Sequence, residues 1–312
     1  MIRIGIVGAG AIGNAHKIGI ERNPDCVLSA VCDLDIEKAK KIASGTEAMV
    51  CTDYKNIKDV DAVILNLPHF LHKDVSIYFL SRGIAVLVEK PMAMNVSECD
   101  EMIEVAKKYN TLFAVGHVRK YFPSIRKVKE LVDTGEIGKL CHITETRNID
   151  YFTNRPQWFL EKSKAGAGIV MNYGAHALDV IHYVTGDKVT GVFATANNFL
   201  NDCDIEASVQ VSMKLSGGVG ACFTFSAGKV PNQYDLYFYF TNGVAKITDG
   251  IYLYISKEGG EYTLCNLDYE ADHMCAQIDE LAKFLKGEES ELVTPEYARE
   301  IIKVLQMATE QF

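Results

Sequence analysis

A glycine-rich segment near the start of the chain sets the tightest limit on what it can fold into. The apolar run Ile2 to Val7 leads into Gly8-Ala9-Gly10-Ala11-Ile12-Gly13. An amphipathic stretch comes next, and a second apolar run, Val27 to Cys32, ends on Asp33. The order is strand, tight turn, helix, strand, acid. Each glycine has a use in such a turn. Gly8 admits the sharp bend, Gly10 lets a pyrophosphate approach the backbone, and Gly13 lets the helix pack on the strand. The helix start at Ala11 and Ile12 offers N–H groups and a positive dipole end to phosphate. Asp33 falls about 20 residues beyond the last glycine, where a carboxylate accepts hydrogen bonds from ribose hydroxyls. The pattern predicts a dinucleotide site made by Gly8, Gly10, Ala11, Ile12, Gly13, Asp33 and its neighbour Leu34.

The acid also bears on which dinucleotide is expected. A carboxylate repels a 2′-phosphate, and Leu34 offers nothing to hold one, so NAD is the preferred cofactor. Lys38 and Lys41 on the following helix keep NADP as the alternative.

The chain has 312 residues, 48% hydrophobic and 23% charged, enough for two domains with full cores. Its net charge of −9 argues against broad binding of nucleic acid or an anionic membrane. No apolar run reaches the ~20 residues of a membrane span, and no basic leader precedes the first strand. The nine cysteines are scattered, without a C-x-x-C, as in proteins whose thiols stay reduced. These features predict a cytoplasmic protein.

Up to residue 116 one rhythm holds. Apolar runs at 2–7, 27–33, 61–67, 84–88 and 112–115 alternate with helical patterns near 12–22, 35–44, 70–82 and 96–109. Runs apolar at every position, such as Val63-Ile64-Leu65, read as strands covered on both faces. This predicts a doubly wound α/β domain over 1–118. Beyond it the pattern changes. Helices are expected near 123–134 and 168–185, and a strand near 139–149. From Ile205 to Leu215 every second residue is apolar, with Glu206 among the polar partners, the mark of an antiparallel strand with one covered face. Runs at 219–225, 234–240 and 244–247 continue that sheet, and helices near 270–286 and 295–311 close the chain. The expectation is an α+β domain over 119–312 with a large, mostly antiparallel open sheet. Tyr237, Phe238, Tyr239 and Phe240 put aromatic rings on both faces of one strand. A second subunit is one candidate cover for the outer face, giving a homodimer or homotetramer.

Three clusters carry chemistry. The strand Ile84 to Val88 ends in Glu89-Lys90-Pro91. Ligands of open parallel sheets sit beyond the carboxyl ends of the strands, and a partly desolvated lysine there can exchange a proton near neutral pH. The stretch Gly166 to Asp179 places Asn172, His176 and Asp179, with Tyr183 beyond them, on one stripe of a helix. Pro68-His69-Phe70-Leu71-His72 comes after the strand ending at Leu67, where His72 can reach the cofactor. No metal is expected: His176 and His182 are six apart, and no H-E-x-x-H or comparable ligand set occurs.

The motifs G-A-G-A-I-G, E-K-P at 89–91, Gly116-His117-Val118-Arg119 and G-A-G-I-V-M-N-Y-G-A-H-A-L-D at 166–179 resemble the glucose-fructose oxidoreductase/inositol dehydrogenase/MocA family, in order and over nearly the whole chain. The resemblance implies a Rossmann domain, an α+β domain whose sheet serves subunit contacts, and oxidation of a sugar or polyol hydroxyl, or the reverse, with NAD or NADP. It puts the family's catalytic lysine on Lys90 and its histidine on His176. Its cofactor loop falls on Pro68 to His72, with His69 in place of an asparagine. The inositol dehydrogenase type carries an aspartate four residues before the histidine. Asn172 stands there instead, can orient but not titrate, and argues against inositol itself. Leu67, His72, Glu89 and Lys90 are then the remaining cofactor contacts. Lys90, Arg119, Tyr151, Trp158, Asn172 and His176 line the substrate, with Arg155 and Tyr173 as further candidates. Two other functions on the same fold stay open: a non-catalytic NAD-binding sensor, and a glycosidase that keeps its NAD.

Overall fold

The strands that are apolar throughout do lie inside a parallel sheet. In the computed structural model, which describes residues 1–153, 155–199, 203–229 and 231–312, the chain divides into two compact units. One is Met1–Val118 with Asp272–Ile302; the other is Arg119–Ala271 with Lys303–Phe312.

The first unit holds β1 (Ile2–Val7), β2 (Cys26–Cys32), β3 (Met49–Cys51), β4 (Ala62–Leu65), β5 (Ala85–Glu89) and β6 (Phe113–Gly116) in the order β3-β2-β1-β4-β5-β6. All pairings are parallel. The order reverses between β1 and β4, the switch point where doubly wound sheets bind ligands. The helix Val96–Tyr109 starts where Asn95 accepts a hydrogen bond from the Glu98 N–H at 2.9 Å, a side-chain cap.

The helix His273–Leu285, placed with the second domain on sequence order, belongs to the first unit. It packs on the helix Ala11–Arg22 so closely that a Cβ on Gly19 would sit 2.7 Å from Ile278 Cγ1. Asn23 Nδ2 donates to Asp279 Oδ1 at 2.6 Å, and Arg22 Nη1 to Asp272 Oδ2 at 2.9 Å. Further on, the Val115 N–H bonds to the Val293 carbonyl at 3.0 Å.

The second unit is built on β7 (Leu140–Asn148), β8 (Val189–Asn197), β9 (Ser208–Leu215), β10 (Gly220–Ser226), β11 (Gln233–Phe240), β12 (Gly243–Thr248), β13 (Tyr252–Lys257) and β14 (Thr263–Leu264). Their order is β14-β13-β12-β11-β7-β10-β9-β8, and only β7 and β10 pair in parallel. One face is apolar and buried, with Phe223, Phe225, Leu236 and Phe238 at its centre. The other leaves Tyr239 partly exposed and Phe193 67% exposed. Among the described residues no helix is long and apolar enough to cross a membrane.

Candidate functional site

The glycine turn is shaped by what cannot fit. Gly8 has φ +101°, and a Cβ there would lie 2.2 Å from the Asn66 carbonyl oxygen. A Cβ on Gly13 would lie 2.4 Å from the Gly8 carbonyl oxygen. Gly10 differs: nothing stands within 4 Å of its Cβ position, so the space beside it is open to an incoming group. Gly10 is also the N-cap of Ala11–Arg22 and caps it with no side chain, which leaves the first N–H groups for a ligand. Asp33 is tied into the turn. One carboxylate oxygen accepts from the Ala9 N–H at 2.7 Å, the other from the Asp35 N–H at 2.9 Å. Leu34 is 91% exposed beside it, and Ile12 is exposed too. These residues fit a dinucleotide: a backbone cradle for pyrophosphate, a fixed carboxylate for ribose, and apolar cover.

His72 is wholly buried and bridges two loops. Its Nδ1 lies 2.8 Å from the Pro91 carbonyl oxygen and its Nε2 2.8 Å from that of Leu67. Burial pulls its pKa below the ordinary histidine value, against the pull of the carbonyls. The side chain thus joins the ends of β4 and β5, and sets where Leu67, Glu89 and Lys90 stand. Lys90 comes directly after β5, and its peptide bond to Pro91 is cis. Its backbone N–H donates to Glu89 Oε2 at 3.2 Å. The other Glu89 oxygen lies 3.6 Å from His16 Nε2, which is 3.2 Å from Gln277 Oε1. Burial raises the Glu89 pKa, opposed by the Lys90 ammonium. Burial lowers that of His16 to about 4.

In the second unit the expected helix over 168–185 is two pieces. Val170–Gly174 is a π-helical turn and Ala175–Thr185 is α-helical. A π turn widens the coil and shifts the phase of the α-helix beyond it, a feature frequent at functional sites. Asn172 lies in the wide turn, His176 just after it. A buried carboxylate anchors the approach: Glu206 accepts from the Gly168 N–H at 2.7 Å and the Val170 N–H at 2.8 Å. Glu206 therefore does not sit on the polar face of an alternating strand. The strand begins at Ser208, and Glu206 turns inward with Ile205 and Ala207, all three buried. Burial raises its pKa while the two N–H groups pull it down.

Aromatic and cationic side chains surround this turn. Asn172 Nδ2 donates to Tyr151 Oη at 3.5 Å, and Tyr151 is fully buried. Arg155 donates from Nε to the Tyr151 carbonyl at 3.1 Å and from Nη2 to Tyr173 Oη at 3.0 Å. The guanidinium of Arg147 lies 4.4 Å from the centre of the Tyr173 ring and 3.6 Å from that of Tyr234. Arg119 lies 5.2 Å from the Tyr234 ring. Trp158 stacks on Phe159 with ring centres 3.8 Å apart.

Of the expected site residues, the first unit groups the glycine turn with Asp33, and joins Leu67 to Lys90 through His72. The second unit links Tyr151 and Asn172 and places His176 on the same helical segment. Sequence reasoning missed His16, Glu206, Glu145 and Arg147. The signal for the last two was available: opposite charges two residues apart on one strand share a face.

Residues 2–117 match the model of an oxidoreductase family with an NAD-binding Rossmann fold, GFO_IDH_MocA, and residues 125–246 match the GFO/IDH/MocA C-terminal domain. A 2,7-anhydro-N-acetylneuraminate hydratase of Mediterraneibacter gnavus is 30% identical over 62% of this chain and 52% of its own length. The myo-inositol 2-dehydrogenase of Thermotoga maritima is 28% identical over 70% of this chain and 67% of its own. The chain thus spans little more than half the length of several curated relatives it matches, 52% to 58%. In fold it is similar to a levoglucosan dehydrogenase solved with NADH and levoglucosan, with TM-score 0.87, 17% identity, and 99% of this chain and 96% of that one covered.

Proposed function

The chain belongs to the Gfo/Idh/MocA oxidoreductase family, and from that premise we propose that it is an NAD(P)-dependent dehydrogenase acting on a CH–OH group of a sugar, polyol or sugar derivative. The observation that carries the reading is the glycine turn, with open space beside Gly10 and the Asp33 carboxylate bonded into the turn by the Ala9 N–H. The fixed carboxylate favours NAD over NADP. Bound on this turn, NAD supplies the two-electron acceptor, and the protein supplies orientation and proton transfer.

With that acceptor held by the glycine turn, what the chain's own residues would supply is removal of the hydroxyl proton by a base. Lys90 and His176 share that work: one takes the proton, the other polarises the oxygen. Asn172 orients the hydroxyl, and Arg119, Tyr151 and Trp158 contact the substrate. The relatives named for inositol and levoglucosan support a polyol or sugar. The outer sheet face around Tyr239 and Phe193 is the proposed contact in a homodimer or homotetramer. Cys26, Cys32, Cys51 and Cys99 are buried free thiols, in keeping with a reducing cytoplasm.

A positioned acid–base group is worth about 10²–10⁴ in rate. Lys90→Ala and His176→Ala should each lower kcat by that factor while NADH affinity, read by fluorescence titration, stays within about threefold. Full turnover in both variants defeats the assignment.

A further inference from the structure

Charged groups facing Tyr151 and Tyr234 are Arg119, Arg147 and Arg155 against Glu145 and Glu206. This positive surplus stands in a chain of net charge −9, so it is a local arrangement. It is also an expensive one. Arg147 is 4% exposed and Glu145 2%, opposite Phe225 and Phe223 on the apolar face of the sheet. Burying such a pair costs several kcal/mol of desolvation, which apolar side chains would avoid. The pair also leaves capacity unused: Arg147 Nε and Glu145 Oε2 are buried without a hydrogen-bond partner.

Tyr173 ties two of the cations together, with its ring against Arg147 and its hydroxyl on Arg155. Like charges drawn to one side chain repel until an anion joins them. Arg155 is half-buried, and among the described residues its Nη1 makes no hydrogen bond.

We infer that this cluster receives a carboxylate, so that the substrate is a sugar acid rather than a neutral sugar or a sugar phosphate. As a statement about substrate, the inference rests on the dehydrogenase reading above. Of the two guanidiniums on Tyr173, Arg147 is hydrogen-bonded to Glu145 and Arg155 to a carbonyl and a hydroxyl, so the pair carries one uncompensated positive charge, which a monoanion balances and a phosphate dianion exceeds. Arg155 makes the contact through a charge-assisted hydrogen bond. Arg147 is a positioning residue that holds Tyr173 beneath it. A substrate anchored there lies against the segment that carries Asn172 and His176.

The test is equilibrium binding to the NADH-loaded protein, then steady-state kinetics with NAD. The probes are hexuronates and aldonates, their neutral parent sugars, and the matching sugar 6-phosphates. At least one acid should bind about ten- to a hundredfold more tightly than its neutral partner, the worth of one such hydrogen bond. Arg155→Gln should raise KM for that acid by a similar factor while kcat changes less than about threefold, and Arg155→Lys should recover part of the loss. Arg147→Met should lower the acid-over-neutral ratio with KM moving more than kcat. Unchanged NADH affinity shows that each variant has folded. Equal binding of acids and neutral sugars overturns the inference, as does preference for phosphates or a ratio untouched by Arg155→Gln. Acid binding without NADH formation overturns the dehydrogenase reading and leaves this one standing. NADH formation from neutral sugars alone does the reverse.

Discussion

In the first unit Glu89 lies 3.6 Å from the ring of His16; in the second Glu145 accepts a hydrogen bond from Arg147 at 3.2 Å. Both pairs are largely or wholly withdrawn from water, yet they meet the cost differently. A histidine can shed its proton, and burial holds His16 neutral by lowering its pKa to about 4. The Glu89 carboxyl moves the other way, so that pair relaxes towards two uncharged groups. An arginine has no such exit, because guanidinium stays protonated at any pH a protein survives. Burial raises the Glu145 pKa, but Arg147 and Arg119 draw it back towards the ionised form. The first pair is a polar joint between the end of β5 and the helix Ala11–Arg22. The second is a standing charge on an otherwise oily surface, maintained at a cost that packing alone does not justify.

The sharpest way to break this contrast is to remove one carboxylate. Glu145→Leu leaves Arg147 buried without a counter-charge and should cost about 3–5 kcal/mol, read from urea unfolding. The double variant Glu145→Leu with Arg147→Met should recover most of that stability, since an apolar pair avoids desolvation. Were the single and double variants equally unstable, the Arg147 charge would not be the source of the cost.

The next effect is a pH dependence in the first unit. His16 titrates near 4 when folded and near 6.5 when unfolded. Between those values the unfolded chain binds a proton that the folded chain refuses, so this group alone makes stability fall as pH drops from 6.5 towards 4, by about 3 kcal/mol over the full span. Glu89, raised from 4.5 to about 7 in the fold, binds its proton more tightly when folded and offsets most of that slope over nearly the same range. His16→Gln should therefore uncover the Glu89 slope, so that stability rises as pH falls from 7 towards 4.5, measured by unfolding at successive pH values. A curve with the same acid slope as wild type would show that His16 is not held neutral.

The smallest expected effect concerns a third carboxylate, Asp33, which is held by two backbone N–H groups at the edge of the sheet. Asp33→Asn keeps the shape and removes the charge that repels a 2′-phosphate. The ratio of NAD to NADP affinity should fall by about tenfold, or 1.4 kcal/mol. An unchanged ratio would mean that cofactor choice lies elsewhere.

The nucleotide cradle was legible because it is made of backbone. Gly8, Gly10 and Gly13 declare themselves by having no side chain, and the covered strands β1, β4 and β5 declare themselves by having only apolar ones. The second unit was read correctly as a largely antiparallel sheet, with Ser208–Leu215 alternating and both faces of Gln233–Phe240 aromatic. Its polar interior was not visible. Alternation shows that Glu145 and Arg147 share a face but not which face is covered; that depends on strands up to about 90 residues away, whose pairing no local pattern reveals. The π turn at Val170–Gly174 is equally silent, since Gly166 to Asp179 fits an ordinary helix. Short strands such as β3 and β14 lack enough residues to show a period, and β8 is half-buried along most of its length. One clue went unused. Gly19 sits inside a helix, where glycine costs stability unless something packs closely, and that something is the helix His273–Leu285.

That returning helix has a consequence for how the molecule is made. The nucleotide-binding half starts with Met1–Val118, but its segment Asp272–Ile302 arrives only after residues 119–271 have been synthesised. At about 5–20 residues per second, the nascent sheet waits roughly 10–30 s with its Gly19 face uncovered. A chaperone that shields exposed apolar surface would find its substrate in that interval, and a single cut in the gene could not release the cradle as an independent module.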